Sequence, residues 1–222
     1  MLVSLVACLA IGYVAGSLPW GLWLGRTLRG VDVRTLGSGN LGATNVYRSL
    51  GPGIGIATLV LDIAKGALPV TLVPGLPLAA AFPGGPEWCR IAVALAAIAG
   101  HMFTFLAGFR GGKGVATTAG VLLALAPVAF LAFTVVFLTT LALTRYVSLG
   151  SMLGAIAFAT ALGFLAPGGV RSPTFAFGVL VALLVIARHR DNLLRLARGE
   201  ERRFTFRRGR EDASAQKEGV RR

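Results

Sequence analysis

Apolar stretches alternate with short polar segments along most of this chain. The stretches cover residues 2–24, 54–73, 91–107, 115–143, 149–165 and 174–187. Apolar runs of about 17–25 residues are long enough to cross a bilayer once as a helix. The fourth stretch is longer and contains Pro127, where a helix would break, so it predicts either one tilted helix or two short ones.

Composition supports a membrane protein. Of the 222 residues, 55% are hydrophobic and 14% are charged, and the mean hydropathy is +0.74, whereas soluble domains carry about 25% charged residues. The net charge of +13 would suit nucleic acid, but much of the basic charge follows the last apolar stretch. There it suits an anionic lipid surface, so we expect no nucleic-acid partner. Cys8 and Cys89 are expected to be small buried apolar side chains.

The distribution of basic residues predicts the number of crossings. Lys and Arg occur in the segments before residue 54, around 108–114, at Arg145 and after residue 187, while segment 74–88 has none and segment 166–173 has only Arg171. If basic loops are cytoplasmic, stretch 115–143 must cross twice. We therefore predict an all-α integral membrane protein with about seven transmembrane helices, some short or broken, with the N-terminus out and the C-terminus in. Residues 1–206 would form the membrane domain and 207–222 a basic, disordered cytoplasmic tail.

The first polar segment of chemical interest reads GSGNLGATN at residues 37–45, between Arg34 and Arg48. Glycine-rich backbone exposes N–H groups that converge on an anion, and arginines add fixed positive charge. Between two membrane helices, such a loop predicts a phosphate-bearing ligand at the bilayer surface. The alternative is that the glycines only permit a tight turn.

The second polar segment covers residues 100–114 and holds His101, Arg110 and Lys113 among several glycines. A helix is predicted to begin at Val115, and helix N-termini bind anions. This arrangement indicates a phosphate site, although any single cation here could simply anchor the chain at the membrane surface.

A third segment and an intramembrane pair complete the set. His189 and Asn192 would lie on one helix face if the last helix continued into the cytoplasm, although a histidine at a membrane interface is more often structural. Asp62 and Lys65 are three residues apart within the second stretch. Charges inside a bilayer usually pair, so they predict either a cavity-lining pair or a structural contact between helices.

Together with DIAKG at residues 62–66, TRYVSLGSM at 144–152 and RHRDNLLRLARGEE at 188–201, these segments resemble the bacterial acyl-phosphate:glycerol-3-phosphate acyltransferase family over residues 1–206. The resemblance implies an inner-membrane enzyme of seven helices with its active site on the cytoplasmic side. Such an enzyme transfers a fatty acyl group from acyl phosphate to the 1-hydroxyl of sn-glycerol 3-phosphate. The products are lysophosphatidic acid and inorganic phosphate, in the first acylation step of bacterial phospholipid synthesis. No cofactor, metal or obligate protein partner is expected.

The resemblance also implies roles for matching positions. Ser38, His189 and Asn192 are expected to be catalytic, and Glu201 to be structural. Arg110 stands where many family members have lysine, which preserves the charge but changes its geometry. Residues expected to shape the phosphate loop or to bind substrate are Gly37, Gly39, Asn40, Thr44, Asn45, Arg48, His101, Arg110, Gly111, Gly112, Lys113, Gly114, Ser148 and Ser151.

The expected mechanism is direct attack without an acyl-enzyme, because two histidines and two distant cysteines provide no convincing nucleophile set. Either His189 or the donor phosphate could accept the hydroxyl proton. Two alternatives remain at this stage. A membrane transporter of a phosphate ester would also place cationic loops near broken helices, and a structural membrane subunit would explain the apolar stretches but not the polar motifs.

Overall fold

The computed structural model describes residues 1–205, which form an all-helical bundle. The predicted tail at 207–222 lies outside the described residues. Short 3₁₀ helices and turns connect ten α-helices: α1 Leu2–Ser17, α2 Trp20–Arg29, α3 Ala43–Leu50, α4 Pro52–Leu72, α5 Gly85–Met102, α6 Val115–Leu125, α7 Pro127–Thr144, α8 Val147–Leu165, α9 Pro173–Arg188 and α10 Arg190–Ala197.

Five helical segments in the described residues are long and apolar enough to cross a membrane. They are Leu2–Arg29, Pro52–Gly75, Gly85–Ala107, Pro127–Thr144 and Val147–Leu165. Helices α9 and α10, which meet at a bend of 58°, provide a sixth if they are counted together, and α6 is a shorter apolar helix. The predicted all-α membrane fold is confirmed, whereas the count of seven and the orientation of the termini stay predictions.

The long fourth stretch is divided at Pro127, as one of the two alternatives predicted. Helix α6 ends at Leu125, Ala126 has non-helical backbone angles, and Pro127 is the first residue of α7. Proline is favourable at a first helical position because it has no N–H to leave unpaired. The result is one short helix, α6, whose N-terminus directly follows the second polar segment.

The first stretch also breaks, although its sequence predicted a single helix over residues 2–24. Helix α1 ends at Ser17, and Pro19 precedes α2. The break leaves carbonyl groups without helical partners, and these need donors in an apolar environment. Lys65 Nζ donates to the carbonyl of Leu18 at 2.6 Å, and the Thr104 hydroxyl donates to the carbonyl of Ser17. Two neighbouring segments therefore stabilise the break.

Glycines allow the helices around this break to pack closely. A Cβ atom at Gly16 of α1 would lie 2.0 Å from the carbonyl oxygen of Ala97 in α5, and one at Gly120 of α6 would lie 1.9 Å from that of Ile63 in α4. Small residues at such crossings let membrane helices approach to backbone contact. Helices α1, α4, α5 and α6 thus form a tight group beneath the polar segments.

Candidate active site

Asn45 organises the first glycine-rich loop. Its side-chain amide donates to the carbonyls of Val33, Leu36 and Asn40 at 2.9–3.3 Å, and its Oδ1 accepts from the backbone N–H of Ser38 at 2.9 Å. The side chain is buried and fully used. Asn45 therefore shapes the loop from beneath and has little capacity left to contact a ligand.

The outer side of this loop is open to solvent. Gly37 and Gly39 have positive φ angles of 57° and 69°, which glycine adopts without strain, and Ser38 between them is exposed. Asn40 Oδ1 accepts from the N–H of Gly42 at 2.8 Å, just before α3 begins. Thr44, in the first turn of α3, is partly buried. The loop presents Ser38 outward, as a ligand-contacting residue requires.

The two arginines beside this loop differ in their contacts. Arg34 pairs with Asp32 at 2.7 Å and donates to the carbonyl of Ala107 at 3.5 Å, so it holds the first and second polar segments together. Hydrogen bonds from Arg34 keep the pKa of the Asp32 carboxyl well below its usual range. Arg48 donates to the carbonyl of Arg202 at 3.2 Å, and burial lowers its pKa. Arg48 is therefore drawn toward the segment that follows α10.

In the second polar segment, the glycines pack against the end of α5. The N–H groups of Gly111 and Gly112 donate to the carbonyls of Met102 and His101, both at 3.2 Å. A Cβ atom at Gly111 would lie 1.9 Å from the His101 carbonyl oxygen, and one at Gly112 would lie 2.3 Å from His101 Nε2. These two amides hold the loop and are not directed at a ligand. Gly114, at φ 83°, turns the chain into α6, and Arg110 is exposed.

Lys113, Asn192 and Glu201 form a connected group that we call the rim cluster. Lys113 Nζ donates to Asn192 Oδ1, and the Asn192 amide donates to Glu201 Oε1 at 2.6 Å. Arg195 adds a contact to Glu201 Oε2 at 2.8 Å. Burial, followed by the charge of Arg195, lowers the pKa of Lys113. The second and third polar segments therefore meet at one site.

The two serines near the start of α8 are placed differently. Ser148 donates to Glu201 Oε1 at 2.7 Å and so joins the rim cluster. Ser151 is buried and donates to the carbonyl of Val147 in its own helix at 2.8 Å. Glu201, with contacts from α8 and α10, thus joins these two helices to the C-terminal segment.

His189 lies at the bend between α9 and α10 and is buried. The last helix bends at this point instead of continuing straight, so the condition under which His189 and Asn192 would share one helix face is not met. His189 Nδ1 is 2.8 Å from the carbonyl of Val185. Since a carbonyl only accepts, Nδ1 carries the proton and Nε2 carries the lone pair. Burial, and to a lesser degree the charge of Lys113, lowers the pKa of His189 to about 4.

Asp62, Lys65 and His101 form a second group, the interior cluster. Lys65 Nζ lies 2.8 Å from Asp62 Oδ1, and His101 Nδ1 lies 3.8 Å from the same oxygen and 3.1 Å from the Thr117 hydroxyl. The three side chains line a small cavity together with Trp20 and Gly112. The intramembrane pair predicted from sequence therefore both lines a cavity and joins helices, because Lys65 also stabilises the α1–α2 break.

Sequence reasoning missed two features of this region. It expected a structural role for Glu201 but did not show that Ser148, Asn192 and Arg195 all hydrogen-bond to it. It also gave no role to Arg188, which donates to the carbonyl of Gly112 at 3.1 Å. The only sequence signal was that Arg188 immediately precedes His189.

Fold and site together define a polytopic membrane protein with a cationic, hydrogen-bonded site where its polar segments converge. A family model described as Glycerol-3-phosphate acyltransferase matches residues 6–199. The glycerol-3-phosphate acyltransferase of Anaeromyxobacter dehalogenans (strain 2CP-C) is 50% identical over 194 residues, which is 87% of this chain and 94% of the relative. That of Geobacter sulfurreducens is 45% identical over 195 residues, covering 88% and 95%. The chain belongs to the glycerol-3-phosphate acyltransferase family.

Solved structures agree with this assignment. The crystal structure of PlsY (YgiH), an integral membrane glycerol 3-phosphate acyltransferase, in its glycerol 3-phosphate form matches with a TM-score of 0.78 and 37% identity. The match covers 91% of this chain and 96% of that one. The lysophosphatidic acid form of the same protein gives a TM-score of 0.77. The predicted family is confirmed, and the transporter alternative gains no support from these relatives.

Proposed function

We propose that this protein transfers a fatty acyl group from acyl phosphate to the 1-hydroxyl of sn-glycerol 3-phosphate. The observation that carries the proposal is the meeting of the second and third polar segments at the rim cluster, in a chain that belongs to this acyltransferase family. The reaction joins a water-soluble phosphate ester to a lipid-soluble donor. A cationic site at the end of a membrane bundle suits both partners.

The proposed step is a direct acyl transfer. The 1-hydroxyl oxygen attacks the carbonyl carbon of the acyl phosphate, the new ester bond forms, and the bond between that carbon and the phosphate oxygen breaks. Inorganic phosphate leaves with the electron pair, and the hydroxyl proton passes to a base. The donor is already activated, so the protein's contribution is to position the reactants and to neutralise charge.

Several cations of the site are placed to bind the phosphate groups of the substrates. Lys113 lies within the rim cluster, and Arg48 approaches it from α3 through Arg202. We assign both to phosphate oxygens of the substrates, with Arg110 as an exposed third cation at the entrance. Ser38 on its outward-facing turn supplies a hydroxyl contact. Asn192 holds Lys113 in place, and Glu201 and Ser148 hold Asn192.

The site favours the departing phosphate as the proton acceptor. With a pKa of about 4, His189 is neutral at pH 7 but is a weak base, whereas the phosphate becomes more basic as its bond to the acyl carbon breaks. General-base catalysis is most effective when the pKa of the base is near the working pH. We therefore assign His189 Nε2 to accepting a hydrogen bond that orients the hydroxyl, and the phosphate to taking the proton.

We further infer that the chain lies in the bacterial inner membrane with this site on the cytoplasmic side. The rim cluster is surrounded by the basic segments of the sequence, including Arg48, Lys113 and Arg195. Basic segments are retained on the cytoplasmic side during insertion. The acyl tail of the donor would remain in the bilayer, with its phosphate at the cytoplasmic surface.

The test uses purified protein in detergent with glycerol 3-phosphate and palmitoyl phosphate. We expect equal amounts of lysophosphatidic acid and inorganic phosphate, with no product when acyl-CoA or acyl carrier protein replaces the donor. The same protein in proteoliposomes should give no flux of glycerol 3-phosphate without donor. Flux without chemical turnover would contradict the proposal and favour a transporter, and a rapid burst of acylated enzyme would contradict direct transfer.

A further inference from the structure

Arg188, the last residue of α9, joins the C-terminal end of that helix to the second polar segment. Its Nη2 donates to the carbonyl of Gly112 at 3.1 Å. Its guanidinium carbon lies 6.0 Å from the centre of the Phe103 ring, within the range of a cation–π contact. The guanidinium head is therefore fixed in position between the loop that carries Lys113 and the end of α5.

One donor of this guanidinium is unused. Arg188 Nε is buried and has no hydrogen-bond acceptor among residues 1–205. An arginine presents five N–H donors in a rigid fork, so fixing Nη2 on Gly112 also fixes the direction of Nε–H. A buried charged N–H without a partner is unfavourable, so this donor is available to a ligand oxygen.

The surroundings of Arg188 favour an anionic ligand. Its Nη2 contact with the Gly112 carbonyl places it beside the residue that precedes Lys113, and His189 directly follows it in the chain. The carboxylate of this region, Glu201, is already occupied by Ser148, Asn192 and Arg195. Arg188 and Lys113 therefore bring two positive charges to adjoining residues of the second polar segment, and a bound anion would offset them.

We propose that Arg188 contacts the substrate directly, donating its Nε–H to a phosphate oxygen while Nη2 remains on Gly112. This inference rests on the proposed acyl transfer and adds a catalytic residue to it. Both substrates carry phosphate oxygens, so the same chemistry fits glycerol 3-phosphate or the acyl phosphate. The substrate whose KM rises when Arg188 is changed is the one whose phosphate Arg188 contacts.

The experiment compares Arg188→Lys with Arg190→Lys in the purified full-length protein. Lysine at 188 keeps the charge and can still reach the Gly112 carbonyl, but it has no Nε–H fork. Arg190 is the matched control, because it is two residues away and its side chain is 84% exposed. We expect Arg188→Lys to lower kcat/KM about 10- to 100-fold, the loss of one charge-assisted hydrogen bond, with the KM of one substrate rising. Arg190→Lys should stay within about twofold of the unchanged protein.

A binding measurement separates direct contact from positioning. Titration calorimetry with glycerol 3-phosphate and with a non-transferable palmitoyl phosphonate should show about tenfold weaker binding of one of them to Arg188→Lys. Phe103→Leu removes the ring beside the guanidinium but leaves Nε–H in place, so it should bind both compounds normally. If Arg188→Lys does not fold, Arg188→Met, which removes the Nε–H, is compared with Arg190→Met in the same titrations.

Three results would overturn the proposal. Unchanged kcat/KM in Arg188→Lys would show that the Nε–H is not used. Reduced kcat with unchanged binding of both compounds, or an equal binding defect in Phe103→Leu, would assign Arg188 to positioning alone. Failure of the acyl-transfer proposal is a separate result, because in that case the unchanged protein itself would form no lysophosphatidic acid.

Discussion

The interior cluster and the rim cluster contain similar side chains but use them differently. In the interior cluster, the ammonium of Lys65 is occupied by Asp62 and by the Leu18 carbonyl at the α1–α2 break. In the rim cluster, Lys113 contacts a neutral amide of Asn192. Pairing with a carboxylate neutralises the first cation, whereas the second keeps its charge for an incoming anion. A charged residue in a membrane protein therefore indicates function only after its partners are known.

The two clusters lie on either side of the loop that holds Gly112 and Lys113. Gly112 lies against the His101 ring of the interior cluster, and Lys113, the next residue, belongs to the rim cluster. The interior cluster thus supports the loop from which the rim cluster is built. This arrangement predicts that changes in the interior cluster reduce the amount of folded protein, and that changes in the rim cluster reduce turnover.

The largest effect on stability is expected for Lys65→Met. The change leaves the buried carboxylate of Asp62 without its partner and the Leu18 carbonyl without its donor, so we expect a loss of about 3–5 kcal/mol in the free energy of unfolding. Thermal unfolding in detergent and the folded yield from membranes measure this loss. The double variant Asp62→Asn/Lys65→Met should recover part of it, and a Lys65→Met protein as stable as the unchanged one would contradict the structural role.

A smaller loss of stability is expected for Gly111→Ala. The new methyl group would lie 1.9 Å from the His101 carbonyl oxygen, so the loop must move and the cost should be about 1–3 kcal/mol. The movement should also displace Lys113 and lower turnover per folded molecule. Gly53→Ala is the control, since a Cβ atom there meets nothing within 4 Å. Equal behaviour of the two variants would show that the packing of the second segment is unimportant.

Acid should weaken the rim cluster through Glu201. Burial alone would raise the pKa of this carboxyl, but hydrogen bonds from Ser148, Asn192 and Arg195 outweigh it and lower the pKa. The unfolded chain then binds a proton more readily than the folded one, so the stability from Glu201 is full above its unfolded pKa of about 4.3 and is lost as the pH falls through the folded pKa. The melting temperature should fall less steeply from pH 7 to pH 3 in Glu201→Gln than in the unchanged protein. An identical pH dependence of the two melting temperatures would contradict this role of Glu201.

The smallest effects separate the two serines of α8. Ser148→Ala removes a hydrogen bond to Glu201. The loss of about 1 kcal/mol of stabilisation should lower kcat/KM a few-fold. Ser151→Ala removes only a hydroxyl bonded within its own helix, so turnover should be unchanged. A larger effect at Ser151 than at Ser148 would require a substrate contact that the geometry does not provide.

Local signals in the sequence predicted much of the fold. Apolar length and the position of Pro127 located the membrane helices and the α6–α7 break, since both depend on neighbouring residues alone. The break before Pro19 was not predicted, and one helix was expected across it. Lys65 and Thr104, which stabilise the break, come from distant parts of the chain. Contacts of this kind leave no periodic pattern, and the same limitation applies to the bend at His189.

The candidate site was predicted less completely. Motif resemblance named Lys113, Asn192 and Glu201, and the structure brings these three together. The resemblance also implied that Gly111 and Gly112 help to bind substrate. Packing of Gly111 and Gly112 against the end of α5 determines otherwise, and such packing depends on the tertiary arrangement of α5 and α6.

Turnover by Lys113→Met tests the central claim most directly, since methionine keeps the length of the side chain and removes its charge. The measurement is kcat/KM for lysophosphatidic acid formation per folded molecule, with Arg190→Met as the exposed control. We predict a decrease of about 100-fold or more for Lys113→Met, corresponding to about 3 kcal/mol of lost charge-assisted contact with phosphate, and a nearly unchanged melting temperature. A Lys113→Met protein that retains turnover within about twofold of the control would contradict a phosphate-binding rim cluster.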